Sequence, residues 1–111
     1  MKHITYTEEN FAIIQFSGDI DLYTTPDMKK IILTPLKEGL NVAVDLKEVS
    51  YIDSSGLAVL IEGFKYAQKH YLTFGVLRLS DFARNVFELA NLDKIFPIFG
   101  SVDEWKDSMK K

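Results

Sequence analysis

Apolar residues in this chain occur in short runs that suit β-strands, and between these runs they recur every three or four positions, as on one face of a helix. The run NVAVDL at 41–46, for example, is short, apolar and rich in valine, as expected for a buried strand. The pattern predicts strands at 3–7, 11–16, 41–46, 72–77 and 95–99, and helices that begin near positions 25, 55, 81 and 101.

Turn and cap residues indicate where these elements begin and end. Only residues 8–10 separate the first two strands, which predicts an antiparallel hairpin. Residues 18–21 (GDID) are expected to leave the sheet as a loop. At 25–27 (TPD), threonine can cap a helix, proline suits the first helical position, and the acid suits the helix dipole. We expect Pro35 to end or kink this helix and Gly39 to close the segment.

Each predicted helix has an apolar face, which at about 100° per residue collects positions three and four apart. Asn91 stands where a left-handed residue would end the third helix, and Pro97 confines the last strand to a sheet edge. The residues expected to face inward are Ile31 and Ile32 in the first helix, Leu57, Leu60, Ile61, Phe64, Ala67 and Gln68 in the second, Phe82, Val86 and Leu89 in the third, and Val102 and Trp105 in the fourth.

The element order β-β-α-β-α-β-α-β-α predicts a single α/β domain that covers residues 1–111. The sheet is expected to be mixed, because the opening hairpin is antiparallel. The strands that alternate with helices should be parallel and joined by right-handed crossovers.

Composition excludes several classes of function. The formal net charge is −3, which favours neither nucleic acid nor an anionic membrane as a partner. There are no cysteines, and His3 and His70 do not form a metal-ligand spacing, so no metal site and no cofactor are expected. No apolar run approaches the roughly 20 residues that span a bilayer. A cytoplasmic protein, monomeric when free, is the expectation.

The most distinctive segment is 51–57 (YIDSSGL), where an extended apolar run ends in an acid and two hydroxyls before a helix begins. A serine at such a junction is exposed and lies beside free backbone N–H groups, so Ser55 can carry a phosphate there. The alternative is that this polar run simply caps the helix, a role worth about 0.5–2 kcal/mol.

Neighbouring residues complete a candidate switch site around Ser55. Asp53 is expected either to cap the helix or to lie near the acceptor hydroxyl. Gly56 is expected to let a kinase active site approach closely, which is compatible with a role in the turn. Asp21 either lines the same surface or is only a turn residue. The side of the helix opposite the core face is predicted to form a partner-binding ridge. Its residues are Ser55, Val59, Glu62 and Tyr66.

The sequence shares features with two other classes of protein. A hydrolase nucleophile elbow needs glycine two positions before the serine, where this chain has Asp53, and neither histidine is placed as a confident base for Ser55. A phospho-aspartate receiver domain has a similar size, and Asp45 at the end of its strand resembles its acceptor. However, no acidic pair follows the first strand.

The order of elements and the strings GDID (18–21), VAVDL (42–46), IDSSGL (52–57) and LANLDKIF (89–96) resemble the STAS domain, in particular the bacterial anti-sigma factor antagonists. In that family the second serine of the pair is phosphorylated, which corresponds to Ser55. The family's acids correspond to Asp53 and Asp21, and Ser54 and Gly56 also fall on their family equivalents. The resemblance covers nearly the whole chain.

The resemblance implies a mechanism in which the chain is not itself an enzyme. The unphosphorylated antagonist binds an anti-sigma factor and so frees a sigma factor. The anti-sigma factor is also a serine kinase that binds ATP and phosphorylates the antagonist, which ends the complex. A metal-dependent, PP2C-like serine phosphatase restores the antagonist. The alternative is a STAS scaffold or accessory subunit, in a stress-signalling complex or a lipid-transport system, that does not act on a sigma factor.

Overall fold

The computed structural model describes residues 1–110 and contains a five-stranded mixed sheet with strand order β1-β2-β3-β4-β5. The predicted element order is confirmed, with one short 3₁₀ helix added before the last strand. No helix within residues 1–110 combines the length and apolarity needed to cross a membrane. The elements are β1 (Lys2–Glu8), β2 (Phe11–Ile20), α1 (Thr25–Lys37), β3 (Asn41–Ile52), α2 (Ser54–Lys69), β4 (Phe74–Leu79), α3 (Asp81–Leu89), the 3₁₀ helix (Leu92–Lys94), β5 (Ile98–Phe99) and α4 (Val102–Ser108).

The sheet topology places the three crossover helices on one face. β1 and β2 pair antiparallel, and every later neighbour is parallel, as predicted. Because the strands are added in chain order and such crossovers are right-handed, α1, α2 and α3 pack on the same side. The carboxyl ends of β2, β3 and β4 therefore lie along one edge of the sheet, where the chain enters these helices.

The core has two layers, one on each face of the sheet. The larger layer lies beneath the crossover helices and contains fully buried residues such as Ile14, Val44 and Leu60. The smaller layer lies beneath α4, where Trp105 is completely buried among residues that include Phe11. Their two rings meet edge to face at 5.9 Å between centroids. The prediction that Trp105 packs the last helix onto the sheet is confirmed.

β1, β2 and β3 are longer than the sequence pattern predicted, and the difference in β2 changes the position of residues 18–20. Residues 18–21 do not leave the sheet as a loop, since β2 continues to Ile20, which is fully buried. Register shifts between Gln15 and Ser17 and between Gly18 and Asp19 keep β2 paired to β3 despite the left-handed φ of +83° at Gly18. Such bulges interrupt the alternation of inward and outward side chains. The pattern of apolar residues therefore does not predict this part of the strand.

The remaining strands also differ from their predicted bounds. β3 continues through Lys47 and Glu48 without a break, so the segments 41–46 and 49–52 form one strand. β4 runs over 74–79 rather than 72–77. β5 is confined to Ile98–Phe99 at the sheet edge, directly after Pro97.

The first helix begins and ends differently from the prediction. The N-cap is Thr24, one residue before the predicted cap, and its side chain makes no capping hydrogen bond. Pro35 does not end α1, which continues to Lys37 and includes Pro35 as a buried residue. Gly39 closes the segment with a φ of +86°, as predicted.

The inward faces were only partly predicted. In α3 the buried residues are Ala83 and Phe87, whereas Leu89 is 87% exposed and Phe82 is 40% exposed. The predicted face was therefore wrong by one position, because a nine-residue helix supplies too few turns to fix its phase. Gln68 in α2 is exposed and does not join the core. Asn91 has the predicted left-handed backbone, with a φ of 59°.

Candidate functional site

The helix α2 begins immediately after β3, at the place where the sequence predicted an exposed serine. Asp53 is the N-cap, in extended backbone conformation, and Ser54 and Ser55 form the first turn of the helix. Ser54 is exposed and Ser55 is half-buried. The strand therefore ends before Ser55, and Ser55 is not fully buried.

A single carboxylate oxygen organises this turn. The Oδ1 atom of Asp53 accepts hydrogen bonds from the Ser55 N–H at 2.9 Å and the Gly56 N–H at 3.4 Å. The same oxygen accepts the Ser55 hydroxyl. Both alternatives for Asp53 are thus realised together, because it caps the helix and also contacts the candidate acceptor.

These contacts lower the pKa of Asp53 below its ordinary value. The main cause is the hydrogen bond from the Ser55 hydroxyl to the carboxylate, and the backbone N–H groups of Ser55 and Gly56 act in the same direction. Partial burial opposes the shift. Asp53 is accordingly a charged acceptor of hydrogen bonds at neutral pH, and it holds the Ser55 hydroxyl in a fixed direction.

Gly56 is buried and faces the sheet rather than the solvent. A Cβ atom added there would lie 2.7 Å from both Ile20 Cγ2 and Ile52 Cγ1. The absence of a side chain lets α2 approach the carboxyl ends of β2 and β3 closely. The expectation that Gly56 offers room for a kinase is therefore wrong, and the residue belongs to the packing that positions Ser55.

Asp21 is placed at the same sheet edge as Asp53. Ile20 pairs in register with Ile52, and the Asp53 N–H donates to the Ile20 carbonyl at 3.3 Å, so the two acids follow paired residues. Asp21 is also a turn residue, since its Oδ1 accepts the N–H groups of Tyr23 at 2.9 Å and Thr24 at 3.2 Å. The two alternatives for Asp21 are again compatible.

The predicted ridge along α2 is not continuous. Val59 is only 8% exposed and belongs to the core, so the expectation that it faces outward is wrong. Glu62 is exposed but pairs with Lys29 at 3.0 Å. Tyr66 is half-buried and stacks on His70, with 4.0 Å between ring centroids. Because Val59 belongs to the core, the four residues do not form one exposed row along α2.

Exposed apolar residues near Ser55 come instead from the loop between β2 and α1. Leu22 is 70% exposed and Tyr23 is 91% exposed. Both follow Asp21 at the sheet edge that holds the start of α2. The sequence pattern missed them because a loop has no periodicity, although two large apolar residues before a helix start are themselves a signal.

Tyr51 and Phe82 form a second apolar pair at this edge. Their rings lie 5.3 Å apart, and each residue is about 40% exposed. Tyr51 comes from the end of β3 and Phe82 from the first turn of α3.

Neither alternative chemistry fits the geometry. Asp45, the acceptor that a receiver domain would need, is 5% exposed and forms an ion pair with Arg78. His70 follows α2 at the end opposite Ser55, which places it about 22 Å away along the helix axis. Within residues 1–110 no group of three His, Asp or Glu side chains could hold a metal ion.

Comparison with known proteins agrees with this architecture. A model of the STAS domain family matches residues 3–105. The anti-sigma-B factor antagonist of Listeria monocytogenes is 37% identical over 83 residues, which is 74% of this chain and 73% of the relative.

Solved structures share the fold at low sequence identity. An anti-sigma factor antagonist from Mycobacterium paratuberculosis superposes with a TM-score of 0.87 at 23% identity, over 99% of this chain and 94% of that one. The Bacillus protein SpoIIAA in its phosphorylated form gives a TM-score of 0.75 at 16% identity, over 98% of this chain and all of that one.

The mixed sheet, the three crossover helices on one face and the serine beside the Asp53 cap at the start of α2 define a STAS domain, as the sequence resemblance predicted. Within that class, this chain belongs to the family of anti-sigma factor antagonists. That family consists of regulators rather than enzymes.

Proposed function

We propose that this chain binds an anti-sigma factor while Ser55 is unphosphorylated and so releases a sigma factor. The anti-sigma factor is a serine kinase, which binds ATP and phosphorylates Ser55, and a PP2C-like serine phosphatase reverses the modification. The observation that carries the proposal is the hydrogen bond from the hydroxyl of the half-buried Ser55 to Asp53 at the start of α2. The name of the Listeria relative and the phosphorylated form of SpoIIAA support the same reading.

The division of chemistry between the two proteins follows from the contacts of Ser55. In the transfer, Ser55 Oγ forms a bond to the γ-phosphorus of ATP, ADP leaves, and the hydroxyl proton passes to a base of the kinase. Catalysis of this kind consists of positioning and of electrostatic stabilisation supplied by the kinase. The contribution of this chain is an acceptor oxygen whose direction Asp53 already restricts.

Phosphorylation would act on the partner surface more than on the fold. A phosphate adds about −1.5 to −2 charges, next to Asp53 and at the sheet edge that also holds Asp21. The positive end of the α2 dipole partly offsets this repulsion, because α2 has 16 residues and a regular first turn. We expect the backbone N–H groups of Ser55 and Gly56 to keep their hydrogen bonds to Asp53 after phosphorylation. We therefore expect a retained fold and a docking surface that is lost through charge and bulk.

A charge substitution tests the switch directly. Ser55→Asp should weaken binding to the anti-sigma factor at least about tenfold, since an added charge that is buried unpaired or placed beside a like charge at an interface is unfavourable. Isothermal titration calorimetry gives the affinity. Ser54→Asp is the matched control, because it places the same charge on the adjacent exposed serine, and it should bind more tightly than Ser55→Asp. Wild-type affinity in the Ser55→Asp variant would contradict the proposal.

A further inference from the structure

The strand β1 is exposed along its whole length. It lies at the edge of the sheet, all seven of its residues are exposed, and its only neighbour is β2. The opposite edge is protected, because β5 has two residues and follows Pro97. β1 contains no proline or glycine and pairs with β2 without a register shift. Long, regular edges of this kind are templates for pairing with another chain, and proteins usually blunt them.

The hairpin geometry fixes which backbone groups of β1 are available. Glu8 and Phe11 flank the two-residue turn and pair with each other. Antiparallel pairs alternate between those that exchange hydrogen bonds and those that do not, and the pair that flanks a two-residue turn is of the first kind. The even-numbered residues of β1 therefore bond to β2. The N–H and C=O groups of His3, Thr5 and Thr7 point away from the sheet.

The side chains of β1 are complementary to themselves. Lys2, Ile4, Tyr6 and Glu8 project from one face of the strand, with Ile4 69% exposed and Tyr6 53% exposed. If a second copy pairs antiparallel with Thr5 opposite Thr5, Lys2 lies opposite Glu8 of the second copy, and Ile4 lies opposite Tyr6 of the second copy. The same register pairs His3 with Thr7, so all the outward backbone groups find partners.

We propose that β1 is a homodimer interface, through which two copies of this chain join edge to edge into one continuous sheet. The contact is isologous, with a two-fold axis through Thr5. Two Lys2–Glu8 pairs and two Ile4–Tyr6 pairs form across it. In the single chain, Lys2 makes no ion pair with any residue in 1–110, whereas Glu8 already contacts Lys106 at 3.4 Å and accepts the Tyr6 hydroxyl.

The dimer is expected to be weak and reversible. A single strand edge buries less than the roughly 800 Å² per partner of a standard interface. The monomer expected from the sequence is thus the dilute form of a monomer–dimer equilibrium. β1 is separated from β3 by β2, so the dimer leaves the start of α2 and Ser55 accessible.

Reciprocal charge changes test the register. Lys2→Glu alone places four acids at the contact, and Glu8→Lys alone places four bases there, so each variant should dimerise about tenfold more weakly than wild type. An equimolar mixture of the two variants restores both opposite-charge pairs and should form heterodimers with near wild-type affinity. Sedimentation equilibrium over a concentration series gives the dissociation constants. Wild type that stays monomeric throughout, or variants that neither weaken nor complement each other, would overturn the proposal.

Hydrogen exchange supplies a test without substitutions. The amides of His3, Thr5 and Thr7 should exchange more slowly as the wild-type concentration rises, while the amides of Ile4 and Tyr6 should not change. A uniform response of the whole strand would contradict the register. The result is independent of the proposed switch, because the Lys2→Glu variant should still accept phosphate at Ser55.

Discussion

At the scale of single residues, the site depends on the position of one carboxylate. Asp53 comes directly after β3, so its backbone stays extended while its side chain turns back over the first helical turn. Capping by an acid uses both its hydrogen-bonding capacity and its charge near the helix N-terminus. The Ser55 hydroxyl donates to the same Asp53 oxygen as the Ser55 N–H. The carboxylate that stabilises the start of the helix therefore also fixes the direction of the Ser55 hydroxyl.

Asp53→Ala should therefore lower the free energy of unfolding by about 0.5–2 kcal/mol, the usual cost of losing an N-cap. Chemical denaturation of wild type and variant measures this difference. Ser54→Ala is the matched control, because Ser54 is exposed and does not cap the helix, and it should change stability by less than about 0.5 kcal/mol. Equal losses in the two variants would show that Asp53 is not the cap.

The lowered pKa of Asp53 gives this contribution a pH dependence. A carboxylate whose folded pKa lies below its unfolded value stabilises the protein above the unfolded pKa of about 3.9. That stability is lost as the pH falls through the lower folded pKa. The difference between wild type and Asp53→Ala should thus be full at pH 7 and should shrink below about pH 4. A difference that grows on acidification would contradict the assigned direction.

At the scale of elements, bulges and loops account for what the sequence pattern did not predict. In β4, Asp45 pairs with Leu77 while Leu46 pairs with Leu79, so Arg78 is the extra residue of a bulge. Its φ of 44° is in the left-handed region, which is strained for a residue other than glycine. The bulge directs Arg78 to the buried carboxylate of Asp45.

Removal of this guanidinium should be costly. Arg78→Ala leaves Asp45 buried without its charged partner, and we expect a loss of about 1–3 kcal/mol in the free energy of unfolding. Arg84→Ala is the control, because Arg84 is an exposed arginine in α3 and makes no ion pair within residues 1–110. Thermal or denaturant unfolding of both variants measures the loss of stability in each. Similar losses would refute a structural role for the Arg78–Asp45 pair.

We expect the anti-sigma factor to contact the loop between β2 and α1, because this loop exposes Leu22 and Tyr23. Tyr23 is 91% exposed beside Asp21, so Tyr23→Lys should weaken binding to the anti-sigma factor several-fold without lowering the melting temperature. Tyr71→Lys is the matched control, since Tyr71 is 97% exposed but precedes β4 at the opposite end of the sheet. If both substitutions weaken binding equally, the loop is not a specific contact.

Much of the element order could be predicted because its signals are local. The hairpin at 8–11, the turn at Gly39 and the left-handed Asn91 each depend on a few adjacent residues. The end of β2 could not, because Gly18 and its neighbours are held in the sheet by pairing with β3, which is distant in sequence. Val59 was misplaced for a similar reason. Its side of α2 is covered by other elements, which helical periodicity alone does not reveal.

At the scale of the whole molecule, the fold separates two surfaces. One surface lies at the carboxyl ends of β2 and β3, where the chain enters α1 and α2. Asp53 and Ser55 follow β3 there, and the exposed loop residues Leu22 and Tyr23 follow β2. The β1 edge lies to the side of this surface. We therefore expect a phosphate on Ser55 to alter the proposed contact with the anti-sigma factor without disturbing the core or the proposed dimer.

The most direct test of the account is to locate the phosphate. The protein is incubated with ATP and the anti-sigma serine kinase of its own organism, and tandem mass spectrometry maps the modified residue in wild type, Ser55→Ala and Ser54→Ala. We expect one phosphate on Ser55 in wild type and in Ser54→Ala, and none in Ser55→Ala. A phosphate on Ser54, or undiminished phosphorylation of Ser55→Ala, would contradict it.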